Sequence, residues 1–526
     1  MEIEERIGLL YGNILDEIGM YDDFVSLKQM GHMEELYQIM QSVSDEIRDS
    51  IAQSLLHLIQ EEKKYTAIWL YSSSMAISNN PKIMEEFLEY AIKCKGIYAN
   101  TRFFLYYQFR SIIFRYTQFE NLRTKYLKWR LLETAISEFR NGLHDVLAPV
   151  PKERRDDGFV LVISEQISAP QHGPTKIALD RCKVLMQRMG KKVLLVNTAE
   201  ILSSVGEVPF FAVMDGIVDS SLVEKDRIGW KGVEIPYFQC DANMPNTADL
   251  RSLFQMVQDT RPGMAVAVGG SGVFANLLND VIPVLMVGLA PSDLFETMAQ
   301  CQTLSRPLLD SDKELLKKVG KDEGHVIESI FTSSLQPQTA MVTRAEMGLP
   351  EDKFVIVVVG YRLETDIDQK FAEMLKRVVC DDIYVALIGN FKPYGKFIAD
   401  NPELEKYLKV LGMTRDTLAC FENCDLYVNP NRKGGGTSGV EAIYKGVPVV
   451  TCPYGDVAIN VGEDFWVESY EEMPELILRY KNDQEFYHMM SEKAKKRAEV
   501  LLDSEKEFVR VVEEFASRCE KPSKLF

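Results

Sequence analysis

The 526-residue chain has no apolar run long enough to span a membrane, and its acidic start, MEIEERIGLL, has no long apolar stretch behind it. Neither a transmembrane helix nor a secretory leader is therefore expected. Nine scattered cysteines form no set at metal-ligand spacing; the nearest two, Cys420 and Cys424, lack a second pair. Free thiols in a reducing, cytoplasmic setting follow. Basic charge is in deficit, 60 Lys and Arg against 78 Asp and Glu, for a net charge of -18. That excludes a general role on nucleic acid, whose phosphates would be repelled, but leaves room for a local basic pocket. A peripheral membrane contact stays open. No Gly-Lys-Ser/Thr phosphate loop occurs, and no dinucleotide fingerprint follows a first strand. Residues 1–147 show no strand-like alternation of useful length.

What is present is an ordinary soluble composition, 46% hydrophobic and 26% charged, and a length that suggests about three domains of roughly 150 residues. Residues 1–147 read as an all-helical N-terminal domain, for acceptor or partner binding. Val43, Ile47, Ile51, Leu55 and Leu58 fall on one helical face, and Asn80-Pro81 is a helix start ahead of the stripe Ile83, Phe87, Ala91. APVPKERRDDG (148–158) reads as a linker, so a chain starting near Lys152 is expected to keep nucleotide binding without the helices. Then FVLVISEQI, the helical stripe Ala178, Cys182, Leu185, Met189, and KKVLLVNT make a β-α-β unit. This expected Rossmann-like domain covers 155–340, on the acceptor side. FVIVVVG opens a second set, with strands near 354–360, 383–389, 425–430 and 447–453, in a donor domain over 341–483. Helices over 484–526 are expected to pack back toward the first sheet. Two such sheets in series place a ligand cleft between them.

The segment NPNRKGGGTSGVEAIYKGVPVV (429–450) carries the chemistry. Gly434, Gly435 and Gly436 fall between a strand end and a helix start, where a phosphate can approach bare backbone N–H groups. Thr437 and Ser438 add hydroxyls, and Arg432 and Lys433 add positive charge. Glu441, one turn into the helix, is placed for ribose hydroxyls rather than phosphate. A nucleoside diphosphate fits the whole; plain strand-to-helix packing is the bland alternative.

Here the chain resembles GT-B glycosyltransferases. MVTRAEMGLPEDKFVIVVVGYRLE is similar to the domain-linking stretch and first C-domain strand of bacterial members, and GGGTSGVEAIYKGVPVVTCPYGD is similar to their donor-binding strand-loop-helix. The resemblance covers roughly residues 155 to 520. Thr437-Ser438-Gly439 with Glu441 looks like the Thr-Thr-Gly-x-Asp stretch of the O-GlcNAc transferase group, whose bacterial relatives include adhesin N-glucosyltransferases with an all-helical N-terminal domain. The resemblance implies an α/β GT-B fold of two Rossmann-like domains behind that all-α domain. It also implies a diphosphate held by Thr437 and Ser438, and a ribose held by Glu441. The family's His before the Thr pair is Gly436 here. Retaining enzymes of the commonest bacterial type carry Glu-x7-Glu; the first position is Lys433 here, which favours inversion.

Further candidates surround this motif. Arg362 ends the first donor-domain strand and is expected to face the diphosphate. His172, in SAPQHGPTK, is the candidate base that deprotonates the acceptor. Asp456 is expected near the sugar hydroxyls. On the acceptor side stand Gly270 and Ser271, in the turn VGGSG, and His325. Asp366-x-Asp368 has metal-binding form but opens a helix, so capping is expected and no metal. The stretch TRFFLYYQFRSIIFRYTQFENLRTKYLKWR (101–130) reads as helix core or as a face for acceptor, partner protein or lipid head groups. The expected activity is transfer of a hexosyl or N-acetylhexosaminyl group from a nucleoside diphosphate donor, UDP-linked, to a protein or glycan, inverting and metal-independent, with the nucleotide sugar as co-substrate and no other cofactor. The alternatives are a nucleotide-sugar epimerase on the same fold and an inactive glycosyltransferase-like partner or chaperone subunit.

Overall fold

The computed structural model describes residues 3–20, 27–168, 172–200, 219–241, 243–269, 271–290, 292–332, 335, 337–414 and 416–520. Among these, helices Ile3–Met20, Leu27–Met40, Asp45–Leu56, Lys64–Ser78, Pro81–Lys93, Ala99–Arg115 and Leu122–Leu143 open the chain. The start at Pro81 follows local chemistry: Asn80 accepts from the Lys82 N–H at 3.0 Å, and proline gives up no useful donor there. Asn121 and Thr124 close a reciprocal capping box at the head of the last of these helices. No described helix is long and apolar enough to cross a membrane.

Among the described residues the first sheet has eight strands: β1 (Asp156–Ser164), β2 (Lys192–Asn197), β3 (Arg227–Trp230), β4 (Val233–Gln239), β5 (Pro262–Val268), β6 (Val284–Val287), β7 (Cys301–Leu304) and β8 (Val326–Glu328). Their order is β3-β4-β2-β1-β5-β6-β7-β8, parallel except for the β3–β4 hairpin at one edge. The second sheet has β9 (Phe354–Val359), β10 (Ile383–Ile388), β11 (Leu408–Gly412), β12 (Leu426–Val428) and β13 (Val449–Val450), all parallel, in the order β11-β10-β9-β12-β13.

The opening helices do not form a separate body. One continuous core joins Phe103, Tyr106, Phe109 and Leu132 to Leu161 and Ile163 of β1 and to Phe254, Phe274 and Met286. Alternate residues of β1, Val160 and Val162, face the other way. They pack with helix Gly173–Gln187 and with Phe508 and Phe515 of the last helix, Ser504–Glu520. The tail splits at Asp503. Helix Gln484–Leu502 lies on the second unit, with Ser491 Oγ donating to Gly446 O at 2.6 Å, whereas Ser504–Glu520 belongs to the first. The charged stretch after Pro151 is no flexible spacer, since β1 already begins at Asp156.

Candidate active site

The glycine loop is built from beneath. β12 delivers Asn429, and the chain turns through Gly434 and Gly435, at φ 85° and 78°, into helix Gly436–Tyr444. A Cβ on Gly435 would lie 2.6 Å from Arg432 Nη2, so the left-handed backbone and the close packing both demand glycine. Arg432, expected to meet phosphate, instead turns into the protein. It donates to Asn429 Oδ1 at 3.0 Å, to Asp366 Oδ2 at 2.9 Å, to Tyr427 Oη at 3.0 Å and to Val359 O. Ser438 also turns inward: its hydroxyl donates to Gly435 O at 2.7 Å and lies 3.0 Å from Tyr427 Oη. The adjacent Thr437 opens on the cleft. The hydroxyl pair therefore divides into one group that braces the loop and one that faces the cavity.

Asp366 sits between Arg432 and Arg362, whose Nε donates to it at 3.0 Å. It is a buried anchor and not a helix cap. Asp368 does cap, accepting from the Phe371 N–H at 2.8 Å. Arg362 also donates to Lys433 O at 2.9 Å and lies 5.0 Å over the Phe114 ring, so it runs along the loop edge toward the opening helices.

A cavity of about 390 Å³ lies where both sheets meet helix Ala99–Arg115. Gly434, Gly435, Gly436, Thr437 and Asp456 form one wall. His172, Glu165 and Phe295 form a second, and Tyr107, Arg110 and Phe114 a third. Lys433 ties the three together. Its Nζ donates to Glu120 Oε1 at 2.8 Å and to both Asp293 oxygens at 3.0 and 2.8 Å. Burial opposes its charge, but Asp293 and Glu120 outweigh it and hold the ammonium well above its usual pKa. Burial likewise opposes charge on Glu120, yet Lys433 and Lys125 pull its carboxyl down to about 2. Tyr454 Oη donates to Glu120 Oε2 at 3.0 Å. An ammonium has three N–H donors, so Lys433 has no further donor to offer in this arrangement.

Asp456 accepts from the Ser292 hydroxyl at 2.6 Å across the cleft, and burial pushes its carboxyl up to about 6. His172 lies on the cavity wall with Nδ1 3.1 Å from Thr175 Oγ1; burial and then Lys176 lower its pKa, leaving the ring neutral and able to accept a proton. Glu441 is set back from this cavity, one turn further along its helix. Burial pushes it up to about 7, against the pull of Lys176 and a hydrogen bond from Thr417.

Two of the three residues expected on the acceptor side, His325 and Ser271, do not line the cavity. His325 is buried beneath the opening helices, 3.1 Å from Gln300 O and 6.3 Å from the Trp129 ring, away from the cleft. Ser271 is buried and donates to Glu296 O at 3.2 Å. Gly270 lies outside the described residues. Just after Ser271, carboxylates cap the backbone: Glu165 accepts from the Gly272 N–H at 2.7 Å and Glu200 from the Phe274 N–H at 3.0 Å. Sequence reasoning flagged 101–130 as a candidate face without singling out Arg110, Phe114 or Glu120, and it missed Asp293. A signal existed for the first two. Tyr107, Arg110 and Phe114 share one face of a helix that is otherwise almost wholly buried, so a lone cation there marks a lined cavity rather than core.

Residues 342–497 match the family model of glycosyl transferases group 1. Among solved structures, the chain is similar to a mutant of the Thermobaculum terrenum O-GlcNAc transferase, with 14% identity and a TM-score of 0.55 over 99% of this chain and 98% of that one. It is also similar to a glycosyltransferase from Rickettsia africae, with 11% identity and a TM-score of 0.50 over 69% of this chain and 99% of that one. No curated protein matches it. The architecture is the GT-B fold, two Rossmann-like units, here with helices in front. The match to the group 1 glycosyl transferase model falls within its second unit.

Proposed function

We propose that the protein is a glycosyltransferase that moves a hexosyl or N-acetylhexosaminyl group from a UDP-linked donor to a protein or glycan acceptor, with inversion. The observation that carries this reading is the juxtaposition at the cavity: the glycine loop of a group 1 domain opens through Thr437 on a space whose opposite wall holds a neutral histidine, His172. The donor diphosphate rests on the N–H groups of Gly434 to Thr437, and Glu441 accepts the ribose hydroxyls. Stabilising the departing diphosphate is the main catalytic contribution, supplied by the helix start, Thr437 and Arg362. His172 takes the acceptor proton as the anomeric carbon is attacked. Protein groups neutralise the leaving group, so the reaction uses no metal and the nucleotide sugar is the co-substrate. The helical wall of Tyr107, Arg110 and Phe114 receives the acceptor. Nine free thiols fit a cytoplasmic setting.

The test is incubation of the full chain with a panel of nucleotide sugars, with and without EDTA, scored for donor hydrolysis and transfer. Turnover of a UDP-sugar that survives EDTA is the expected result. Turnover that EDTA abolishes and manganese restores would remove the metal-free mechanism. No turnover of any donor, with nucleotide binding intact, would leave a binding subunit instead of an enzyme.

A further inference from the structure

Two helix N-termini meet at one gap between the units. Helix Gly173–Gln187 belongs to the first unit and Gly436–Tyr444 to the second, and Gly173 and Thr437 both line the main cavity and a small adjoining one of about 30 Å³. Each helix start carries unpaired N–H groups and partial positive charge, so two of them at one gap repel each other unless something negative lies between. The side chains on the gap add to the imbalance. Lys176 and Arg181 line it, and among the described residues neither makes a direct ion pair: Glu441 lies near Lys176 and Glu507 near Arg181 without contact, and the Arg181 guanidinium stands 4.7 Å over the Phe508 ring. Arg181 is only 8% exposed. Its Nη2 donates to Thr332 Oγ1 at 3.2 Å and its Nη1 to Ser504 O at 3.4 Å, while its buried Nε has no partner. Burial of a guanidinium without a carboxylate is costly, and an orphaned donor adds to that cost. The acid on the gap, Asp180, is engaged elsewhere by Trp230 Nε1 at 2.7 Å and Lys231 Nζ at 3.1 Å. Lys433, the obvious cation of the glycine loop, has all its donors on carboxylates.

We propose that Lys176 and Arg181 form an anion subsite on the first unit that clamps the donor's phosphates from the side opposite the glycine loop. The inference rests on the nucleoside diphosphate reading of that loop. The phosphate enters from the main cavity past Thr437, which faces both spaces, and the two units seat around it. An uncharged nucleoside lacks the group that the clamp holds.

The experiment is calorimetry of the full chain with UDP, inorganic pyrophosphate and uridine, for the parent and for Lys176→Met and Arg181→Lys. Lys176 is half-exposed, so its variant should melt at the parent temperature. Loss of a charged hydrogen bond is expected to weaken UDP and pyrophosphate by about tenfold or more and leave uridine unchanged. Arg181→Lys, which keeps charge but not the planar fork, should lose affinity for the same two ligands. A parent that binds UDP, with variants that bind it equally well, overturns the clamp and leaves the donor reading standing. Equal losses for uridine and UDP also overturn the clamp, because the residues would then hold the nucleoside. A parent that binds no UDP removes the donor reading and the clamp together.

Discussion

The two parallel sheets bury their faces in different ways. The core of the second unit runs from Leu349 to Leu501 and is supplied by that one stretch of chain. The first sheet takes one face from the opening helices and the other partly from the last helix, Ser504–Glu520. So the second unit is closed on itself, and the first unit is assembled from the beginning, middle and end of the sequence. The cavity lies where these two kinds of construction touch. Its glycine wall is local to the second unit, whereas its remaining walls need the whole chain.

The strongest way to break that contrast is to remove residues 1–147. Each large apolar side chain taken out of water contributes about 1.5–3 kcal/mol, and a whole domain is stable by only about 5–15 kcal/mol. Phe103, Tyr106, Phe109 and Leu132 all leave the shared core at once. The trimmed chain should be insoluble or lack a cooperative melt. This outcome reverses what the linker-like stretch 148–158 suggests, and a soluble trimmed chain that still binds UDP would show that the first sheet stands alone.

The neighbours Arg432 and Lys433 test the same contrast at the level of single residues. Arg432→Met strips a buried pair inside the second unit and leaves Asp366 with Arg362 only, a loss of about 3–5 kcal/mol by denaturant titration. Lys433→Met cuts a tie between units, and its partners keep other contacts: Glu120 retains Lys125 at 2.7 Å and Asp293 reaches solvent. About 1–3 kcal/mol is expected there. If the two variants lose the same stability, the cross-cleft bridge is as structural as the internal one.

Glu441→Ala should leave folding intact and weaken UDP by about 1.5–3 kcal/mol, read by calorimetry, because a carboxylate that accepts ribose hydroxyls is lost. Unchanged affinity in the folded variant would remove the ribose assignment.

The smallest effect is in pH. Glu441 is held at about 7 in the folded protein, against 4.5 for a free glutamate carboxyl. Between those values the unfolded chain releases this proton and the folded protein retains it, so this group makes the protein less stable as pH rises from 4.5 to about 7, with no further loss above. Ribose binding needs the ionised form. UDP affinity should therefore rise a few-fold from pH 6 to pH 8, and Glu441→Gln should flatten that rise. A slope that persists in Glu441→Gln would point to another group, with Asp456 at about 6 next in line.

Much of the second unit was legible because its signals are local. The strands FVIVVVG and DLYVNP, the glycine run and the helix ending at Gly446 depend on neighbours a few residues away, and each appears where the pattern places it. The short strands were harder. β7, β8 and β11 have five residues or fewer, too few for a period to show, and the β3–β4 hairpin turns on Lys231-Gly232, at φ 45° and 82°, with a proline inside β4.

The sequence by itself determined that a glycine turn precedes a helix, that hydroxyls and an acid follow it, and that the opening segment is helical. Backbone preference, capping and periodicity are short-range properties, so a string of residues contains them. Only the tertiary structure decided which side chain of each pair faces the cavity: Thr437 and not Ser438, with Arg432 turned under the loop and Lys433 held across the cleft. It also placed His325 in the core and brought Arg110 and Phe114 to the cavity. Those outcomes depend on which distant partners lie within hydrogen-bonding reach, Asp366, Tyr427, Glu120 and Asp293 among them, and sequence spacing carries no record of such contacts.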